Sequence, residues 1–589
     1  MNSMNKTFYF FTIVLLMFAI AAAAAAAAPN KFVEIEIGGL VSEKHALYNF
    51  IYPSSFTIKQ YLDIMDKARF DPAVGGLILK ISRLDIGWAK MQQLRRAIHA
   101  FRSEGKPAFA LIDGSFMPSY LIACACDKVY LQPASVLMMT GLRLEVYYWK
   151  DLLDKIGIEV DCIPIGRFKN FAEPFISATM SDAAREMFTS LLDDAESQFI
   201  SIIVEERGLT TDTVRRLMDE GPFTAREAAI RGLADGFLYE DELHAQIESG
   251  MTRYLLVDKE YGREKPAMPD FNFFTLLFPQ SNKAAIKSGT LKIAYILATG
   301  NILPGGRRDY PFRENIIASE DICADIRECA EEQTIGAIII RIESPGGSMA
   351  AADQIWRALR KASEKKPVIA SLSDVAASGG YYIAMAANRI IAEPGTLTGS
   401  IGVISMKVVL QRLMEKTGVK AEVISRGKMS GIFSPLSHFS EEERAAMQRI
   451  SLAHYDEFTS KVAAMRGVGN ERMASVAEGR VWTGRQALEN GLVDKLGGID
   501  EAVSEAKKLA GIPSQSQVEL EMFPRQMGFL EFIQELMTGG TFGNYNPSPM
   551  GMSAFLPLTP SLFSQIQSLI YLAHKERSLA ILPFIITIQ

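Results

Sequence analysis

The sequence predicts an α/β protein built as two tandem copies of one βα-repeat domain. Three observations lead there. A chain of 589 residues is too long for a single hydrophobic core, and its 48% apolar content fills two or more. Four stretches recur along the chain at one constant offset, from positions 74, 94, 120 and 148 to positions 335, 355, 381 and 409, each 261 residues later. Within each copy, short β-branched runs alternate with amphipathic helical patterns, the signature of βαβ units on a largely parallel sheet.

Taken in chain order, the first element is Lys6 followed by an apolar run from Phe8 to Ala28, which ends in eight consecutive alanines before Pro29. A charged start, an apolar stretch and small residues are the order of a secretory signal, so residues 1–30 read as a signal peptide or, uncut, as a membrane anchor. Residues 31–280 form the first copy, where "VGGLILKISRLDIG" at 74 and "YLIACACDKVYLQP" at 120 are its buried strand and its helix–strand unit. Pro266, Pro269, Pro279 and the polar "QSNKAAIKSG" mark the join. Residues 285–520 form the second copy, with "IGAIIIRIESPGGS" at 335 and "YYIAMAANRIIAEP" at 381 in the matching places. The tail, 521–589, matches neither copy.

Charge and cysteine content exclude several functions. With 62 basic and 68 acidic residues, the net charge of −6 provides no basic field for nucleic acid. Five cysteines, odd in number and sparse, build no disulfide framework, and none of the spacings suits zinc, so neither metal nor cofactor is expected.

The copies differ where chemistry belongs. In "SDVAASGGYYIA" the serine at 378 stands where a buried strand turns into a helix, among free backbone N–H groups, a place suited to a nucleophile. The first copy has Met117-Pro118-Ser119 in that register, and it has "RLDIG" where the second has "SPGGS". Acyl transfer also needs N–H groups aimed at the developing oxyanion, and Gly347 and Gly379 are the natural pair. No histidine lies between His244 and His438, and His438 sits in a polar loop, so the base for Ser378 is expected to be a neutral lysine. Lys169 stands five residues before Pro174 in the first copy, and Ser430 holds that place before Pro435 in the second. The lysine position is filled only in the copy that lacks the serine.

These motifs, "SPGG" at 344, "SDVAASGGYYIA" at 373, "GTLTGSIGV" at 395 and "GRFKNFAEPF" at 166, resemble those of the signal peptide peptidase A (protease IV) family in its long, two-domain form. These are serine proteases of the Clp and crotonase superfamily. The resemblance covers roughly residues 35–510. It implies a Clp/crotonase-like fold in both copies, Ser378 as nucleophile, Lys169 as base, Ser400 as a hydrogen-bond partner of that lysine, and oxyanion donors at Gly347 and Gly379. It further implies a homotetramer shaped like a bowl, peptide substrates that are signal peptides left in the membrane, and a site at the extracytoplasmic, periplasmic face of the inner membrane. Two positions depart from the family pattern: Glu343 stands where Asn or Asp is usual, and Ser373 where Gly is common.

Other readings remain open at this level. A crotonase-type acyl-CoA enzyme shares the oxyanion glycines but needs no Ser–Lys pair. A non-catalytic scaffold would keep the fold alone. Proteolysis with a base from within the second copy would use Lys428, two residues off the register of Lys169.

Overall fold

The computed structural model describes residues 31–44, 56–114, 116–251, 254–262, 291–310, 315–525 and 579–581. The expected signal segment and most of the join between the copies lie outside the described residues. Among the described residues, no helix is long and apolar enough to cross a membrane.

Each copy is organised around a parallel sheet. In the first, the order runs Gly236–Phe237, Lys128–Leu131, Ala108–Ile112, Val74–Asp85, Lys31–Leu40 and Leu256–Asp258, every neighbour parallel. In the second, Glu519–Phe523, Lys292–Thr299, Ile335–Ser344, Val368–Ala377, Arg389–Ala392 and Lys495–Leu496 give the same order read from the opposite edge. The central strands are continuous apolar runs because helices cover both faces, leaving no polar side to alternate. Ile338, Ile340, Val368 and Ala370 pack into one core with helix Met349–Ser363, while Ile339 and Ile369 meet helix Ile499–Leu509 on the other face. The first copy has its own core around Leu77, Leu79, Ile98 and Phe101.

The helices keep the repeat register. Lys150–Ile156 and Gln411–Thr417 begin 261 residues apart, and each ends on a left-handed glycine, Gly157 and Gly418. Beyond them the offset shortens to 259, with the 26-residue helices Asp182–Arg207 and Glu441–Arg466. Both begin at a serine, Ser181 or Ser440, whose hydroxyl accepts from the third helical N–H.

The copies diverge after the Lys150 and Gln411 helices. In the first, Glu159–Ile165 is a strand that crosses to the second copy and pairs antiparallel with Val403–Val409, from Glu159 opposite Val409 to Ile165 opposite Val403. Its counterpart in the second copy, 420–426, is exposed and makes no strand. The crossing strand belongs to a third, mixed sheet that also holds Ile316–Ala318, Asn301–Leu303, Gly346–Ser348 and Leu579–Ile581. Leu579–Ile581 comes from the tail that matches neither copy. Glu519–Phe523 straddles the expected start of that tail and closes the edge of the second parallel sheet.

Candidate active site

Ser378 follows strand Val368–Ala377 directly and precedes helix Gly379–Ala384. Its backbone takes φ 56° and ψ −113°, a strained conformation for a residue with a Cβ, and it turns the hydroxyl away from the strand axis. The turn is held by Ser378 N–H donating to Gly399 O at 2.7 Å and Tyr382 N–H donating to Ser378 O at 2.8 Å. The glycines around it are there for access. Gly346 has φ 111°, and a Cβ on Gly347 would lie 2.1 Å from Ile302 O. A Cβ on Gly379 would stand 3.1 Å from Gly347 N, so the backbones of Gly347 and Gly379 converge beside Ser378.

Lys169 arrives from the first copy, just beyond the crossing strand. Phe168 N–H donates to Glu478 O at 2.8 Å, which fixes the loop against the second copy. Gly479 makes this approach possible: it has φ +80°, and a Cβ there would fall 2.6 Å from Lys169 N. Sequence reasoning missed Gly479, because nothing local in "EGR" shows that a distant backbone must pass so close.

The Lys169 side chain is 2% exposed, and Ser378 and Ser400 are fully buried. Its Nζ lies 2.7 Å from Ser378 Oγ, 3.0 Å from Ser400 Oγ and 3.2 Å from Ser400 O. Burial alone pushes the Lys169 amine well below the ordinary lysine value. A neutral amine has two N–H donors and one lone pair. With two donors directed at Ser400, the uncharged amine keeps its lone pair for the Ser378 hydroxyl, whereas the ammonium would donate to all three oxygens; burial is what favours the uncharged form. Ser400 is itself held with φ 51°, its N–H donating to Arg480 O at 2.7 Å.

The other candidates lie elsewhere. Lys428 is exposed on the 420–430 segment. His438 is a surface group, facing Glu159 Oε2 at 3.1 Å and Asp161 Oδ2 at 3.4 Å.

A second buried lysine shows the opposite electrostatics. Lys90, 3% exposed, lies on first-copy helix Trp88–Arg102, with Nζ 2.6 Å from Glu343 Oε1 and 2.5 Å from Asp374 Oδ2. Burial disfavours its charge, but Asp374 and Glu343 outweigh that and hold it above the ordinary lysine value. Asp374 also accepts from Lys90 N–H at 3.0 Å, capping across the copies a helix whose own N-cap is Gly87. Burial pushes the Glu343 carboxyl up, with Lys90 acting against it. Nearby, Arg341 donates to Glu43 Oε1 at 2.7 Å and to Ser373 Oγ at 3.1 Å. Thus Glu343 and Ser373, the two departures from the family pattern, both belong to an ionic seam between the copies.

Comparison with known proteins gives matches over both copies. The model of peptidase family S49 matches residues 100–252 and 360–513. The chloroplastic serine protease SPPA of Arabidopsis thaliana is 33% identical over 80% of this chain and 68% of its own length. Protease 4 of Salmonella typhi is 29% identical over 83% of this chain and 77% of its own. A solved structure of a ClpP1 mutant from Listeria monocytogenes covers 36% of this chain and 94% of its own at 15% identity, with a TM-score of 0.23.

Proposed function

Because the chain belongs to peptidase family S49 and is a serine protease, we propose that it hydrolyses peptides with a Ser378–Lys169 dyad assembled across its two copies. The observation that carries this is the fully buried Ser378 Oγ 2.7 Å from the Nζ of a lysine that has no carboxylate partner among the described residues. As Oγ attacks the peptide carbonyl, its proton passes to Lys169 Nζ and the oxyanion is received by the N–H groups of Gly347 and Gly379. Lys169 then gives the proton to the departing amine, leaving an acyl ester on Ser378. A water deprotonated by the same amine releases the acyl group and restores the serine. Ser400 orients the amine throughout.

The substrates we infer are extended, apolar peptides of the signal-peptide class, cleaved by a membrane-associated enzyme on the extracytoplasmic side. The apolar run ending at Ala28 supports the location, and the names of the relatives support the activity. A homotetramer is supported by an unmatched surface. Val419, Val423 and Ile424 are 52%, 68% and 91% exposed, although their first-copy counterparts adjoin or form a strand paired across the copies. Residues 142–148, the first-copy counterpart of Val403–Val409, are in no strand, and those of a second chain pairing with 420–426 would repeat that contact head to tail.

The test is hydrolysis of casein and of a signal peptide, against turnover of an acyl-CoA thioester. We expect Ser378→Ala to abolish peptide hydrolysis and Lys428→Ala to retain it. Peptide cleavage by Ser378→Ala near the wild-type rate, or acyl-CoA turnover in its place, refutes the proposal.

A further inference from the structure

The three-residue strand Leu579–Ile581 is inserted between two strands of the third sheet. On one side it runs antiparallel to Gly346–Ser348, with Ile581 opposite Gly346, Ala580 opposite Gly347 and Leu579 opposite Ser348. On the other it is antiparallel to Val403–Val409, with Leu579 opposite Ile404. It also lies against helix Gly379–Ala384, which follows Ser378. Without it the third sheet falls into two parts, Ile316–Ala318 with Asn301–Leu303 and Gly346–Ser348, and Val403–Val409 with Glu159–Ile165. The space between them is a slot with a strand edge on each wall.

A protease of this design needs such a slot. An extended substrate gains main-chain hydrogen bonds by adding to a strand edge, and its register brings one carbonyl to the oxyanion donors. Gly347 is one of the two donors assigned above, and the residue opposite it is Ala580. We propose that Leu579-Ala580-Ile581 is a built-in competitor, a pseudosubstrate strand that occupies the peptide cleft and must leave before another peptide enters. This rests on the assignment of Gly347 to the oxyanion site. The same geometry defines the substrate sought: an extended apolar segment, antiparallel to both walls, with a small residue opposite Gly347. Occupancy by the tail reduces apparent affinity for added peptide by the fraction of time the cleft is open.

The experiment uses the full chain carrying Ser378→Ala, with and without Ala580→Pro, and a fluorescent peptide of residues 577–584, RSLAILPF. Proline removes a ladder N–H in the middle of the strand. Leu579→Asp, at the position in register with Ile404, serves as the second variant. We expect the peptide to bind about tenfold more tightly once either change is present, the factor for a cleft filled roughly nine-tenths of the time. Equal affinity in all three proteins overturns the proposal. With Ser378 restored, Ala580→Pro should lower KM for a peptide substrate several-fold and leave kcat unchanged; unchanged KM also overturns it. If the tighter binding is found but no protein hydrolyses any peptide, the proteolytic reading fails and the occupied cleft stands.

Discussion

Replacing Lys169 by methionine separates its chemical role from its cost to the fold. Among the described residues the amine has no carboxylate partner, and its titration is depressed by burial. In the unfolded chain a lysine titrates near 10.4. If the folded amine is neutral at pH 8, folding must strip a proton that the unfolded chain holds about 2.4 pH units below that value, costing about 3 kcal/mol at about 1.4 kcal/mol per unit. Methionine keeps the volume and removes this cost, but leaves the hydroxyls of Ser378 and Ser400 without their partner, at about 1 kcal/mol each. The expected net gain is about 1–2 kcal/mol at pH 8, a rise of about 2–6 °C in Tm for a unit of this size. The sign follows from proton counting. Between the folded and unfolded pKa values the unfolded wild type binds the extra proton, so wild-type stability rises with pH, whereas the variant lacks that slope. Near pH 10.4 the advantage should vanish or reverse. Thermal unfolding of both proteins from pH 7 to 10.5 measures it. Peptidase activity should fall by at least about 10³-fold in the variant, and the wild-type rate should climb with pH as Lys169 loses its proton. A Tm difference independent of pH would mean that the folded amine is charged, and the dyad mechanism would be refuted.

Two further outcomes are expected. Ser400→Ala should leave Tm nearly unchanged and slow hydrolysis by about 10–100-fold, with the pH profile displaced, since it removes one of the contacts that aim the Lys169 amine; an unaltered rate and profile would leave Ser400 without a part in the mechanism. Lys90→Met should destabilise by about 3 kcal/mol or more, because Glu343 and Asp374 lose their shared cation, with Lys90→Arg recovering part of the loss in a Tm measurement; a neutral Lys90→Met would show that the ionic seam does not hold the copies together.

What the sequence made legible follows from physical periodicity. The 261-residue register is carried by buried strands and helix faces, whose composition is constrained position by position, so comparing the copies isolates Ser378 and Lys169 as complementary exceptions. The glycines at 346 and 347 are visible for the same reason. Lys90 was not legible. It lies on an amphipathic helix like any solvated lysine, and only the packing of the second copy brings Asp374 and Glu343 to it. Gly479 is hidden because its requirement comes from Lys169, some three hundred residues away in sequence. Leu579–Ile581 is too short to carry a period of its own, and it resembles neither copy. Its place is set by the strand edges it meets.

The division of the proposed dyad between the copies also sets a timetable. Lys169 and Ser378 are 209 residues apart, so at about 5–20 residues per second the ribosome needs some 10–40 s to make the second after the first. If Lys169 is the base proposed above, the emerging chain holds it throughout that interval with no nucleophile to activate. The hydroxyl becomes dangerous only after the second copy has folded around Gly479 and received the lysine. A protease divided as proposed is born inert, with its first cut delayed until the last large domain is in place.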